Sequence, residues 1–201
     1  LGALFLATFV NKKDYTPLLL TQELKGFAIL TIILAHIGYY LSTDPQFLFP
    51  FSILAGVGVN LFFFLSGYGL TLSQQKRGEN PIQFYKRRLL KIFIPFWIIL
   101  VVLFSAAYVV HGTVYAKLYV VKAFLGIFTS ADLYADINSP LWYLTLLLFF
   151  YLLFPLLFSK KRPWLTALML YAAAYLLVTI NFPALYGVVG LYQVHILAFP
   201  L

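Results

Sequence analysis

LKGFAILTIILAHIGYYL (24–41) and, after a short polar turn, AGVGVNLFFFLSGYGL (55–70) decide the fold. The first stretch is an unbroken apolar run at helical length. The second is a glycine-rich aromatic run of similar length. Each approaches the ~20 apolar residues that a bilayer-spanning helix needs. Inside them sit Lys25, His36, Asn60 and Ser66. Polar groups at bilayer depth are costly, so those that occur there tend to face a bundle interior and to have a function.

The rest of the chain has the same character. Of its 201 residues, 63% are hydrophobic, 19% aromatic and only 10% charged. A soluble domain carries about 25% charged residues. The long Leu, Phe and Ile runs do not alternate in polarity as the ~10-residue strands of a membrane β-barrel do. The expectation is an all-α, polytopic transmembrane helix bundle with about six spans, forming one membrane-embedded domain over residues 1–201. The spans are expected near 24–41, 47–72, 92–110, 140–158 and 164–180, with a sixth beginning after the NFP turn at 181–183. The chain begins without Met and stops at Leu201 inside an apolar segment, which reads as the N-terminal part of a larger bundle.

Between the spans lie the turn STDPQ (42–46), a basic loop at 74–91, a polar loop at 111–139 with Lys117, Lys122, Asp132 and Asp136, and the short SKKRP (159–163). Pro95 is expected in the first turns of its span, where proline is tolerated. With residues 11–25 on the cytoplasmic side, twelve cations fall inside and two, Lys117 and Lys122, outside. That is a positive-inside distribution. The net charge of +8 then belongs to loops beside an anionic leaflet rather than to a nucleic-acid surface. With no cysteine, thiolate nucleophiles, disulfides and Cys-ligated metals are excluded. No His/Asp/Glu spacing suggests a metal and no glycine loop suggests a P-loop.

Lys25 and His36 are eleven residues apart. On a helix that is ~20° of net rotation and ~16 Å of rise, so they share a face, with Lys25 at the cytoplasmic edge and His36 deeper. A neutral imidazole is a competent general base near neutral pH. The bland alternative is a packing histidine, with Lys25 extending to the headgroups. His111 and His195 read as boundary or packing residues. Ser66-Gly67-Tyr68 reads as helix packing more readily than as a nucleophile, because no acid or base lies beside it in the chain.

Taken together, these segments resemble acyltransferase family 3, the membrane O-acyltransferases. Lys25-x10-His36 resembles the Arg-x10-His signature of that family's first helix. GVNLFFFLSGYGL (58–70) is similar to its GV(D/N)-Phe-rich-SG(F/Y) segment. FYKRRLLKIFIPFW (84–97) is similar to its basic stretch leading into an aromatic helix, and SPLWYLTLLLFFYLLFPLL (139–157) to its PLW…YL…PLL helix. The family's arginine is Lys25 here, which keeps the charge but not the planar fork. Its common aspartate is Asn60.

The resemblance implies transfer of an acyl group, usually acetyl, to a hydroxyl of an envelope polysaccharide or glycolipid. The donor would be acetyl-CoA or another acyl-CoA, used as a substrate with no tightly bound cofactor. His36 would match the catalytic histidine, as general base or as an acyl-carrying nucleophile. Lys25 would sit toward the donor. Arg87, Arg88 and Lys91 would meet the donor's phosphates, the family's Arg-x-x-Arg reading Arg88-Leu89-Leu90-Lys91. Asn60, Ser66, Tyr68 and Trp142 would line substrate. The expected setting is a multi-pass protein of the bacterial cytoplasmic membrane, with the bilayer, acyl-CoA and a carbohydrate or glycolipid as partners. The rival is a non-enzymatic transporter or polysaccharide-export partner, in which Lys25, His36 and Asn60 line a polar path.

Overall fold

The computed structural model describes residues 17–40, 49–131, 139–180, 185 and 187–200. Among them all regular structure is helical: α1 (Pro17–Tyr40), α2 (Phe49–Arg77), α3 (Pro81–His111), α4 (Lys117–Phe124), a 3-10 turn (Ser139–Leu141), α5 (Trp142–Leu157), α6 (Pro163–Thr179) and α7 (Val189–His195). Among the described residues, three stretches are long and apolar enough to cross a membrane: Leu19–Gly38, Leu54–Arg77 and Pro81–His111. Trp142–Leu157 and Pro163–Thr179 are shorter apolar helices. The turn at 42–46, Asp132, Asp136 and the NFP turn lie outside the described residues.

The chain forms two compact units, Leu1–Ser66 and Gly67–Leu201. In the first, α1 and the opening of α2 meet where Gly58 faces Ala28, Thr31 and Ile32. A side chain at Gly58 would run into the Thr31 hydroxyl and the Ala28 carbonyl. The missing Cβ therefore lets the two backbones approach, as small residues do in membrane helix pairs. Thr31 turns its hydroxyl onto the Ala28 carbonyl at 2.8 Å, so its polarity is met within α1. Ala28, Thr31 and Ala35 form the buried stripe of α1, while Phe27, Leu30, Ile33 and Ile37 are exposed. An apolar exposed face is what a lipid-facing helix requires.

In the second unit α5 is the central element. Leu146, Phe150 and Phe154 on it are essentially inaccessible. Phe150 stacks on Phe199 with ring centres 4.6 Å apart, and Phe154 stacks on Phe84 of α3 at 5.8 Å. Polar atoms are satisfied locally: Tyr85 donates to the Leu152 carbonyl at 2.6 Å and Trp97 Nε1 to the Phe124 carbonyl at 2.8 Å. Thr145 donates to the Gly126 carbonyl and accepts from the Phe128 N–H, tying α5 to the segment after α4. The outward side of α3 carries Ile94, Ile98, Val102 and Val109, all exposed.

Several expected boundaries move. The basic stretch 74–91 is not a loop. It is the end of α2, a three-residue turn (78–80) and the start of α3. The Asn80 side chain accepts from the Gln83 N–H at 2.9 Å and Pro81 stands in the first turn, so α3 starts eleven residues before the expected 92. Asparagine at the cap and proline at the first helical position are strong start signals. Pro95 consequently lies deep inside α3 rather than in its first turns. Within a membrane bundle, neighbouring groups can satisfy the carbonyl that proline frees. The polar loop after α3 contains a further helix, α4.

Candidate functional site

Lys25 and His36 lie on the single continuous helix α1. Helical geometry therefore keeps them on one flank, beside the buried stripe of Ala28, Thr31 and Ala35. Both are half-buried. His36 Nδ1 lies 2.8 Å from the Ile32 carbonyl oxygen. A carbonyl can only accept, so Nδ1 carries the proton and, in the neutral ring, Nε2 is the basic nitrogen. The ring is thus oriented by its own helix, one turn back. Chemically this is the tautomer of a general base acting through Nε2, with the developing imidazolium stabilised at Nδ1.

Ser66 is buried at 6% exposure and donates to the Phe62 carbonyl at 2.7 Å. Its proton is committed to the backbone, which is the behaviour of a packing serine. Asn60 is two residues beyond Gly58, so it points about 200° away from the face on which Gly58 meets α1. It is half-buried.

The remaining expected residues fall in the second unit. Tyr68 is exposed and lines a cavity of about 80 Å³ with Gly67, Thr71, Phe154, Thr166, Leu170 and Phe199. Trp142 is half-buried, its ring 5.4 Å from that of His195 and 6.2 Å from that of Tyr192. It opens α5 and packs against the buried His195. The rim of α3 carries Arg87, Arg88 and Lys91 in its first three turns. Lys91 is exposed and Arg88 half-buried. Arg87 is different. Its Nη2 lies 2.6 Å from Glu79 Oε2, as a close ion pair with the N–H axis off the hydrogen-bond line, and 3.3 Å from the Ser73 hydroxyl.

Glu79, Gln74 and Ser73 were not among the residues expected at the site. One signal pointed to Glu79: it is the only acid in a stretch, 74–91, that holds six cations. Among the described residues no group of three or more His, Cys, Asp or Glu is placed to hold a metal ion.

A family model for an acyltransferase domain, acyltransferase family 3, matches residues 24–200. Comparisons with curated proteins and with solved structures give no significant match. The family match begins at Leu24, just before Lys25, and takes in His36, the basic rim of α3, Trp142 and most of each compact unit. With apolar helices of membrane-crossing length and an oriented histidine inside the first of them, the chain belongs to acyltransferase family 3 and is a membrane acyltransferase.

Proposed function

We propose that this acyltransferase moves an acetyl group from cytoplasmic acetyl-CoA, or a related acyl group from its acyl-CoA, to a hydroxyl of an envelope polysaccharide or glycolipid. The observation that carries the mechanism is the 2.8 Å contact from His36 Nδ1 to the Ile32 carbonyl. Nε2 takes the proton of the acceptor hydroxyl as its oxygen attacks the thioester carbonyl. The tetrahedral intermediate collapses, the C–S bond breaks, and the departing thiolate recovers the proton from the imidazolium. Lys25, on the same flank of α1, faces the donor. Arg88 and Lys91 meet its phosphates, where guanidinium binds with paired hydrogen bonds. Asn60, Tyr68 and Trp142 are assigned to the walls of the substrate path, and Ser66 to packing.

We read the protein as a multi-pass component of the bacterial cytoplasmic membrane, with about six spans forming one membrane-embedded domain. Donor and basic rim face the cytoplasm, supported by the twelve-to-two distribution of cations.

Envelope glycans analysed by mass spectrometry, with His36→Ala compared with wild type at matched protein level, test this reading. Loss of acetylation with polymer export intact is the expected result. Loss of export with acetylation retained would assign the chain to transport instead.

A further inference from the structure

The turn joining α2 to α3 is held by side chains as well as by its backbone. Gln74 is 7% exposed, and its Nε2 donates to the Glu79 carbonyl at 2.5 Å. The Glu79 carboxylate, at 15% exposure, pairs with Arg87 Nη2 at 2.6 Å and more loosely with Arg77 at 3.6 Å. Arg87, at 24% exposure, also reaches Ser73 on α2 at 3.3 Å. Arg87 is therefore bound both to the turn and to the preceding helix. Among the described residues Arg88 and Lys91 form no ion pair. They are three residues apart on α3 and so share a face.

The cluster also holds unspent hydrogen-bonding capacity. Among the described residues, the Nε–H groups of Arg87 and Arg88, Oε1 of Gln74 and the ion-paired Oε2 of Glu79 are buried without hydrogen-bond partners. Buried polar groups ordinarily have partners, and orphaned ones call for an explanation such as a missing water or ligand. An anionic group arriving here would meet guanidinium donors that are already desolvated.

We propose that Glu79 is the positioning residue of the donor site. By holding Arg87 across the turn it fixes the first turns of α3 against the end of α2. Arg88 and Lys91 are thereby presented to the phosphates of the acyl donor. Arg87 acts as the strut and is not itself the main phosphate ligand. This rests on the reading of the α3 rim as the donor site. Glu79 contributes no chemistry to the transfer and acts only through Arg87.

The test is equilibrium binding of coenzyme A to the full-length protein in lipid nanodiscs. Glu79→Gln is expected to raise the Kd about tenfold, the size of one lost charge-assisted contact. Glu79→Asp should give a smaller rise, and the exchange Glu79→Arg with Arg87→Glu should restore most of the affinity. Rescue by the exchanged pair is a result that general loosening of the fold would not produce. If Glu79→Gln does not fold, the Asp variant and the exchanged pair carry the same test. An unchanged Kd, a tighter Kd, or a loss that the exchange fails to restore would overturn the proposal. Arg88→Gln separates this inference from the reading beneath it. If Arg88→Gln weakens binding while Glu79→Gln does not, only the role of Glu79 fails. If Arg88→Gln leaves the Kd unchanged, the assignment of the rim to the donor fails.

Discussion

At the scale of single residues, the proposed chemistry reduces to one imidazole, that of His36, whose Nδ1 faces the Ile32 carbonyl of its own helix. Because His36 Nδ1 is committed to the Ile32 carbonyl, replacement by Gln removes the base while leaving a polar side chain of similar reach. Ser66 is the converse case. Its hydroxyl is spent on the Phe62 carbonyl, so Ser66→Ala should leave turnover within about twofold, measured as acetyl transfer at saturating donor. A large loss there would return the serine to the list of nucleophiles. Lys25→Gln should raise the KM for acyl-CoA about tenfold, consistent with the loss of one contact to a charged group. Lys25→Arg should stay close to wild type, because the charge is preserved.

Helix pairs set these residues in place, and glycine is what brings the pairs together. Gly58 has the Thr31 hydroxyl and the Ala28 carbonyl where a Cβ would go. Gly58→Ala should therefore destabilise the pairing of α1 and α2 by about 1–3 kcal/mol, the usual size of an overpacking penalty. Thermal melting in detergent reads this directly. Gly26→Ala is the control, since a Cβ there meets nothing within 4 Å. Asn80→Ala should cost about 1 kcal/mol through loss of the α3 cap.

The helices themselves were legible in the sequence. Apolar runs of membrane-crossing length announce themselves, and α5 and α6 fall close to their expected bounds, whereas α1 starts at Pro17, seven residues before the expected 24. The start of α3 was not found, although Asn80-Pro81 spelled it out. Charge density dominated the reading of 74–91, and a helix that continues past the bilayer looks like a loop when judged by apolarity alone. The Lys25 and His36 pairing could be read from spacing because both lie on one helix. The Glu79 and Arg87 pair could not, because it depends on how a turn folds two helices onto each other.

For the molecule as a whole, the claim is a membrane enzyme with its basic rim on the cytoplasmic side. The two ends of α3 make this testable, because 31 residues at 1.5 Å per residue exceed the ~30 Å hydrocarbon core. The chain has no cysteine, so single cysteines report without background. A membrane-impermeant maleimide should label Thr113→Cys in intact spheroplasts and Gln83→Cys only after lysis. Both positions are exposed. Labelling with the opposite sidedness would invert the topology and move the basic rim away from cytoplasmic acyl-CoA.

The central claim is that His36 is the base of a membrane acyl transfer, and the rate of acetyl transfer by the purified full-length protein in lipid vesicles tests it most directly. His36→Gln, with its melting temperature matched to wild type, should lose about 10²–10⁴-fold in turnover, the usual contribution of general-base catalysis. Turnover within a few-fold of wild type would contradict the account.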